Sequence, residues 1–422
     1  MADAGTARRR VLAARYREVR AATEELAAPL SPEDQTVQSM PDASPTKWHR
    51  GHTSWFFETF LLQGQPRYSP YDPAFAYIFN SYYEAVGPRY PRPERGILSR
   101  PGVAEVAAYR HHVDSAMGEL LEGELDEATA DLVELGLHHE QQHQELLLMD
   151  IKHALSRNPL LPAYRPGAGA HPSEARKLGW LEHEGGLAEI GHRPGTGFAF
   201  DNELPCHLEH LTPFALADRP VTCGEWLGFM EDGGYSRPEL WLSDGWAAVA
   251  QGAWTCPLYW FQETTSAPAS SWFVFTLGGP RPVDPAEPVC HISYFEADAF
   301  ARWAGCRLPT EAEWEVAARG SSPASGNWLD LRVLHPLPTG DSATGLFGDV
   351  WEWTASPYGP YPGFRPAPGA VGEYNGKFMV NQYVLRGGSC ATPAGHVRAT
   401  YRNFFPAHAR WAFSGLRLAK DA

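Results

Sequence analysis

The sequence predicts an α+β chain of two domains: a four-helix bundle over residues 1–160 and a mixed domain of short strands, short helices and long loops over 179–422, joined by a Pro/Gly-rich linker at 161–178. Three observations predict it. Apolar residues recur at helical spacing through most of the first 160 residues. Pro159, Pro162, Pro166, Gly167, Gly169 and Pro172 then follow one another closely, a density no regular element tolerates. Beyond them Trp, Gly and Pro alternate with short apolar runs, and helical periodicity is found mainly at 222–231, 293–304 and 310–318. There is no internal repeat.

Within the bundle, the first helix is expected over 8–28, where Val11, Leu12, Tyr16, Val19 and Leu26 share a face ahead of Pro29. Ser44 as N-cap and Pro45 in the first turn open a second helix that runs to about Gly64. On it Trp48, His52, Trp55, Phe56 and Thr59 form one stripe, so His52 faces inward. His49 competes, since Phe56 and Phe60 stand at helical spacing from it, but it lacks the aromatic flanks of His52 and is expected to be dispensable. Residues 65–100 read as a long Tyr- and Pro-rich loop. A third helix is expected at about 102–122 (Val106, Val113, Met117, Leu120) and a fourth at about 128–156.

The fourth helix carries the most informative stretch, His138-His-Glu-Gln-Gln-His143. On a helix His139 and His143 point the same way, beside Leu132, Leu135, Leu146 and Met149, and so toward the core. Two neutral imidazoles one turn apart bind a first-row metal without backbone distortion, and a bundle core is a common place for such a site. His49, His52, His138 and His153 nearby favour this over unliganded core histidines. The same residues also spell the His-Glu-x-x-His of zinc peptidases, with Glu140 as general base. The extended form of that motif needs Gly and His where this chain has Leu146 and Met149, and the remaining acidic candidates, Glu174 and Glu182, lie in or just after the linker.

A net charge of −15 excludes a nucleic-acid footprint and an anionic membrane surface as partners. No run of about 18 apolar residues exists to span a bilayer, and the Arg-rich N-terminus leads into an amphipathic helix rather than a signal-peptide core. Six Cys, all from Cys206 onward and without Cys-x-x-Cys spacing, fit reduced thiols. A cytoplasmic protein with small-molecule substrates is expected. Nothing in the pattern specifies an oligomeric state.

Several motifs carry a resemblance. Arg219-Pro-Val-Thr222, Arg307-Leu-Pro-Thr-Glu-Ala-Glu-Trp-Glu315, Gly348-Asp-Val-Trp-Glu-Trp-Thr354 and Arg386-Gly-Gly-Ser389 resemble the formylglycine-generating-enzyme-like fold, a C-type-lectin-like variant. His52 with His139-x-x-x-His143 resembles DinB-like metal-binding bundles. The combination, with Tyr401-Arg-Asn-Phe-Phe-Pro406, is similar to the ergothioneine-biosynthetic sulfoxide synthases, the EgtB group.

That resemblance implies a non-haem iron(II) enzyme, with His52, His139 and His143 as ligands. Such an enzyme joins the sulfur of cysteine or γ-glutamylcysteine to imidazole C2 of hercynine (trimethylhistidine) using O2. It implies Gln142 and Asn403 as hydrogen-bond partners of hercynine, and Phe404 as an aromatic wall for its trimethylammonium group. Phe404 and Phe405 stand where some members have Trp and Asp, which favours cysteine as donor. Tyr82 and Tyr83 are candidates for a catalytic phenol, with Tyr374 as the alternative, and Arg89 for a carboxylate clamp. Cys390 has no recognisable partner for the formylglycine enzymes' reactive Cys pair, so formylglycine generation is not expected. Zinc peptidase chemistry and a non-catalytic or thiol-transferase DinB-like module are the rival readings.

Overall fold

A computed structural model describes residues 2–167, 175–262, 272–340 and 344–422. It divides into two compact units, Met1–Leu160 with Ala367–Tyr374, and Leu161–Pro366 with Asn375–Ala422. The late segment 367–374 joining the first unit has no counterpart in the sequence pattern. Of the expected linker, 168–174, which includes Glu174, lies outside the described residues.

The first unit is built on α1 (Ala2–Ala27), α2 (Thr46–Phe57), the short α3 (Phe75–Ile78), α4 (Val103–Glu122) and α5 (Glu127–Ser156). α1 begins earlier than its apolar pattern suggests, and ion pairs to α5 hold it from Arg8 onward. Arg8 reaches Asp131 and Glu134, and Arg15 reaches Glu134. The N-cap of α2 is Pro45 and not Ser44, whose backbone N–H instead donates to Asp150 and whose hydroxyl accepts from Arg95. α2 continues into a wider turn, Glu58–Leu62, where the buried Glu58 carboxylate accepts from the hydroxyls of Tyr68 and Tyr109. α5 opens on Asp126, whose carboxylate caps the Thr129 N–H at 2.7 Å. The stretch 65–100 is ordered more than expected, with α3 and a 3-10 turn at Arg92–Ile97.

Trp55, Phe56, Phe57, Val113, Met117, Val133 and Leu137 fill the core between these helices. Gly136 explains how closely α5 meets α2, since a Cβ there would stand 2.6 Å from the Phe57 ring. A Cβ at Gly51 would likewise stand 2.2 Å from the ring of Phe79.

The second unit contains β1 (Trp180–His183), β2 (Gly186–Ile190), β3 (His207–Leu211), β4 (Phe214–Ala217), α6 (Cys223–Glu231), α7 (Ser243–Gly252), β5 (Trp260–Gln262), β6 (Trp272–Thr276) and β7 (Gly279–Pro282). α8 (Tyr294–Trp303), α9 (Glu311–Ala318), β8 (Trp351–Pro357), β9 (Gln382–Arg386), β10 (Asn403–Pro406), β11 (Ser414–Leu416) and β12 (Ala419–Asp421) complete it. The strands form sheets ordered β10-β9-β8-β11, β1-β4-β12, β5-β6-β7 and β2-β3, antiparallel except for β11 against β8. α7 escaped the periodicity because only Gly245 and Val249 of its ten residues are buried.

The motifs behind the family resemblance carry the scaffold here. Thr222 and Thr310 cap α6 and α9 in reciprocal boxes with Glu225 and Glu313. Glu352 is buried against Arg417 and accepts from the Trp314 indole at 2.7 Å, while Glu311 binds Arg386 and Arg402. Buried charges of this kind are tolerated only when every partner is in place.

Candidate metal centre

Each histidine of the expected trio is set by different neighbours. His52 lies within α2, fully buried, its ring stacked between Trp48 (centroids 4.7 Å apart) and Trp55 (5.6 Å). The segment after α3 brings the Phe79 carbonyl to 2.6 Å from His52 Nδ1. A carbonyl only accepts, so Nδ1 holds the proton and Nε2 the lone pair. That lone pair meets α5, where His139 Nε2 stands 3.1 Å away. One turn further along α5, the His143 ring centroid is 4.6 Å from those of both His139 and His52. One ligand atom from each of the three lies within 4.8 Å of the others.

Burial pushes the His139 imidazole down to about 3. Burial first, and then the neighbouring imidazoles, hold His52 and His143 well below the ordinary histidine value. All three rings are therefore neutral at pH 7, the form in which they bind metals. Two nitrogens bound to one ion at about 2.0–2.1 Å and roughly at right angles lie about 3 Å apart. The His52–His139 spacing is of that size, so the residues present fit a bound divalent metal. The cluster is imidazole alone, with no carboxylate or thiolate among its members.

Glu140 is not at this centre. It is fully buried on an adjoining face of α5, paired with Arg20 (2.9 Å) and Arg110 (3.1 Å), and it accepts from the Thr23 hydroxyl at 2.7 Å. Burial alone would raise its carboxyl, but the two guanidinium groups outweigh burial and hold it below the usual range. Such a network anchors α5 to α1 and α4, and removing one buried charge from one costs on the order of 3–5 kcal/mol. Glu140 is thus committed to a structural ion network, and the peptidase reading loses its general base.

Comparison with known proteins agrees with this architecture. Residues 15–147 match the DinB superfamily, and 173–332 with 340–422 match the sulfatase-modifying factor enzyme 1-like domain. Hercynine oxygenase from Mycolicibacterium thermoresistibile is 32% identical over 90% of this chain and 88% of its own length. Hercynine oxygenase from Mycobacterium tuberculosis is 32% identical over 90% of this chain and 92% of its own. The chain belongs to the hercynine oxygenase family. Formylglycine-generating enzyme from Streptomyces coelicolor is 29% identical over 54% of this chain and 82% of its own length.

In this hercynine oxygenase family member the tyrosines divide by position. Tyr374 reaches the first unit on the segment 367–374, held there by Glu373, whose carboxylate accepts the backbone N–H groups of Glu84 (3.1 Å) and Ala85 (2.9 Å). Its ring centroid lies 5.7 Å from His139 and 6.1 Å from Tyr82. Tyr83 is fully buried against Trp55, Phe60 and Tyr82, and burial pushes its phenol well up. Tyr82 is half-buried and stacked on Tyr83.

The remaining expected residues are more dispersed. Gln142 is half-buried beside His143 on α5. Arg89 directs its fork to Glu84 (2.7 Å) and to the Ser81 carbonyl (3.2 Å), so this exposed side chain is already engaged within its own loop. Asn403, Phe404 and Phe405 lie on β10 in the second unit. Asn403 Oδ1 accepts the Phe404 N–H, Phe404 stacks on Tyr358 at 4.0 Å, and Phe405 meets the edge of Trp411.

Sequence reasoning missed one feature of the centre. His49 Nδ1 lies 2.9 Å from His143 Nδ1, and His49 Nε2 lies 3.0 Å from Asp150 Oδ2. The available signal was Asp150 two helical turns beyond His143, on the same face of α5.

Proposed function

We propose that this chain is an iron(II)- and O2-dependent sulfoxide synthase that joins the sulfur of cysteine to imidazole C2 of hercynine, as in ergothioneine biosynthesis. The C2–H and S–H bonds break, and a C2–S bond and an S=O bond form. One oxygen atom of O2 goes to sulfur, and the other leaves as water with the two hydrogens. The four electrons lost in making the C–S and S–O bonds are those that reduce O2.

The observation that carries this reading is a cluster of three neutral imidazoles, His52 and His139 buried and His143 half-buried, in a chain of this family. Such a set keeps the metal at charge 2+ and leaves up to three positions of a six-coordinate ion open. Iron(II) bound there supplies the centre at which thiolate and dioxygen meet. His52, His139 and His143 hold it, and Trp48, Trp55 and Phe56 wall their rings from water. Tyr374, whose ring centroid lies 5.7 Å from that of His139, is assigned to give up its Oη proton during oxygen reduction. Gln142, next to His143, is assigned to the substrate imidazole. Phe404 and Phe405, in place of an acidic group that would meet a second amine, favour cysteine over γ-glutamylcysteine as donor.

Aerobic incubation of anaerobically iron-loaded protein with hercynine and cysteine tests this. We expect oxygen uptake together with a sulfoxide whose composition is hercynine plus cysteine plus O2 minus water, and weaker turnover with γ-glutamylcysteine. No product with either thiol, or stoichiometric zinc with peptidase activity, contradicts the assignment.

A further inference from the structure

We propose that Asp150 and His49 form a positioning chain that fixes the tautomer of His143 and makes metal retention depend on a carboxylate outside the ligand set. This rests on the metal-binding reading above. The chain is short and buried: His49 is 3% exposed and Asp150 6%. It links α2 to α5 twice, once at His143 and once at Asp150.

The polarity of each bond follows from the far end. A carboxylate only accepts, so at the 3.0 Å contact His49 Nε2 carries a proton and donates to Asp150. In the neutral ring Nδ1 of His49 is then a lone pair. At the 2.9 Å contact that lone pair can only accept, so His143 Nδ1 is the donor. The lone pair of His143 is thereby confined to Nε2, the nitrogen left for a metal. Asp150 is itself held, because its Oδ2 accepts the Ser44 N–H at 2.7 Å. Ser44 in turn accepts from Arg95, which lies over the Trp48 ring at 3.3 Å.

The three imidazoles are therefore not equivalent. His52 donates to a neutral carbonyl, and His139 Nδ1 is buried with no hydrogen-bond partner. Only His143 donates into a path that ends on an anion, which makes it the most basic donor of the three. On this proposal His49 is needed, contrary to the sequence-based expectation that it is dispensable: it touches no metal but holds a residue proposed to do so.

The test is a titration of full-length metal-free protein with Co(II) under argon, followed by its visible absorption. Wild-type protein binds the ion. His49→Leu, which removes the acceptor, binds about 10–100-fold more weakly. His49→Gln, whose amide oxygen still accepts from His143 Nδ1, recovers most of that loss. Asp150→Asn weakens binding in the same direction. Combined with His49→Leu it adds nothing, because the carboxylate acts only through the imidazole. Unchanged affinity in His49→Leu, equal losses in His49→Leu and His49→Gln, or additive losses in the double variant would overturn the chain. Absence of Co(II) uptake by wild-type protein would instead remove the metal reading beneath it. Should His49→Leu not fold, His49→Gln and Asp150→Asn compared with wild type carry the same decision.

Discussion

Replacing His139 by Ala is expected to remove iron and sulfoxide formation together. His139 supplies the nitrogen that stands 3.1 Å from His52 Nε2, and it is the first of the two proposed α5 ligands. Its loss leaves two imidazoles on different helices, with nothing else in the cluster to complete the site. Loss of a partner that merely orients a ligand already costs about 10–100-fold in affinity, so loss of the ligand itself should exceed the upper end of that range. The fold should survive, because the ion network of Glu140 on the adjoining face of α5 is untouched. Metal analysis of the purified variant, with circular dichroism as a check on folding, measures this. A folded His139→Ala protein that keeps stoichiometric iron would show that the ion is held elsewhere.

Tyr374→Phe should separate oxygen consumption from product. The phenol ring is 5.7 Å from His139, while Tyr83 is packed among Trp55, Phe60 and Tyr82. Removing a positioned proton donor costs about 10²–10⁴-fold in the step it serves. Iron binding does not involve the phenol, so oxygen uptake should continue and end in thiol oxidation instead of the sulfoxide. Tyr82→Phe and Tyr83→Phe should leave the sulfoxide yield close to wild type. Product analysis beside an oxygen electrode distinguishes the three. Full sulfoxide yield from Tyr374→Phe, with loss in Tyr83→Phe, would return the role to the loop tyrosines.

The difference between these residues also marks what the sequence reveals. His139 and His143 are legible because a helix fixes the direction of residues four apart, and His52 because Trp48 and Trp55 flank it on one stripe. Periodicity cannot rank His49 below His52 by function, since both are buried on α2, and only the structure gives each its partners, the Phe79 carbonyl and His139 for His52, His143 and Asp150 for His49. Tyr374 is harder still. It follows a short 3-10 turn at Ala370–Glu373, in a stretch whose local pattern says nothing about which unit it joins. The Glu373 carboxylate, which accepts the backbone N–H groups of residues 84 and 85, helps bring it beside the histidines. The literal His-Glu-x-x-His pattern misleads for a related reason. Spacing places Glu140 next to a ligand in sequence, yet the helix turns it about a third of a circle away, toward Arg20 and Arg110.

The architecture followed from coarser signals. Helical periodicity announces the helices at 222–231 and 310–318, and the capping boxes of Thr222 with Glu225 and Thr310 with Glu313 explain where they start. Partners such as Arg417 for Glu352, or β11 parallel to β8, depend on contacts far apart in the chain that no local period encodes.

X-ray data from anaerobically iron-loaded crystals, collected above and below the iron absorption edge, test the central claim most directly. The account predicts one anomalous peak within about 2.0–2.3 Å of a nitrogen from each of His52, His139 and His143. A peak held by other residues, or one that persists only at the zinc edge, would contradict it.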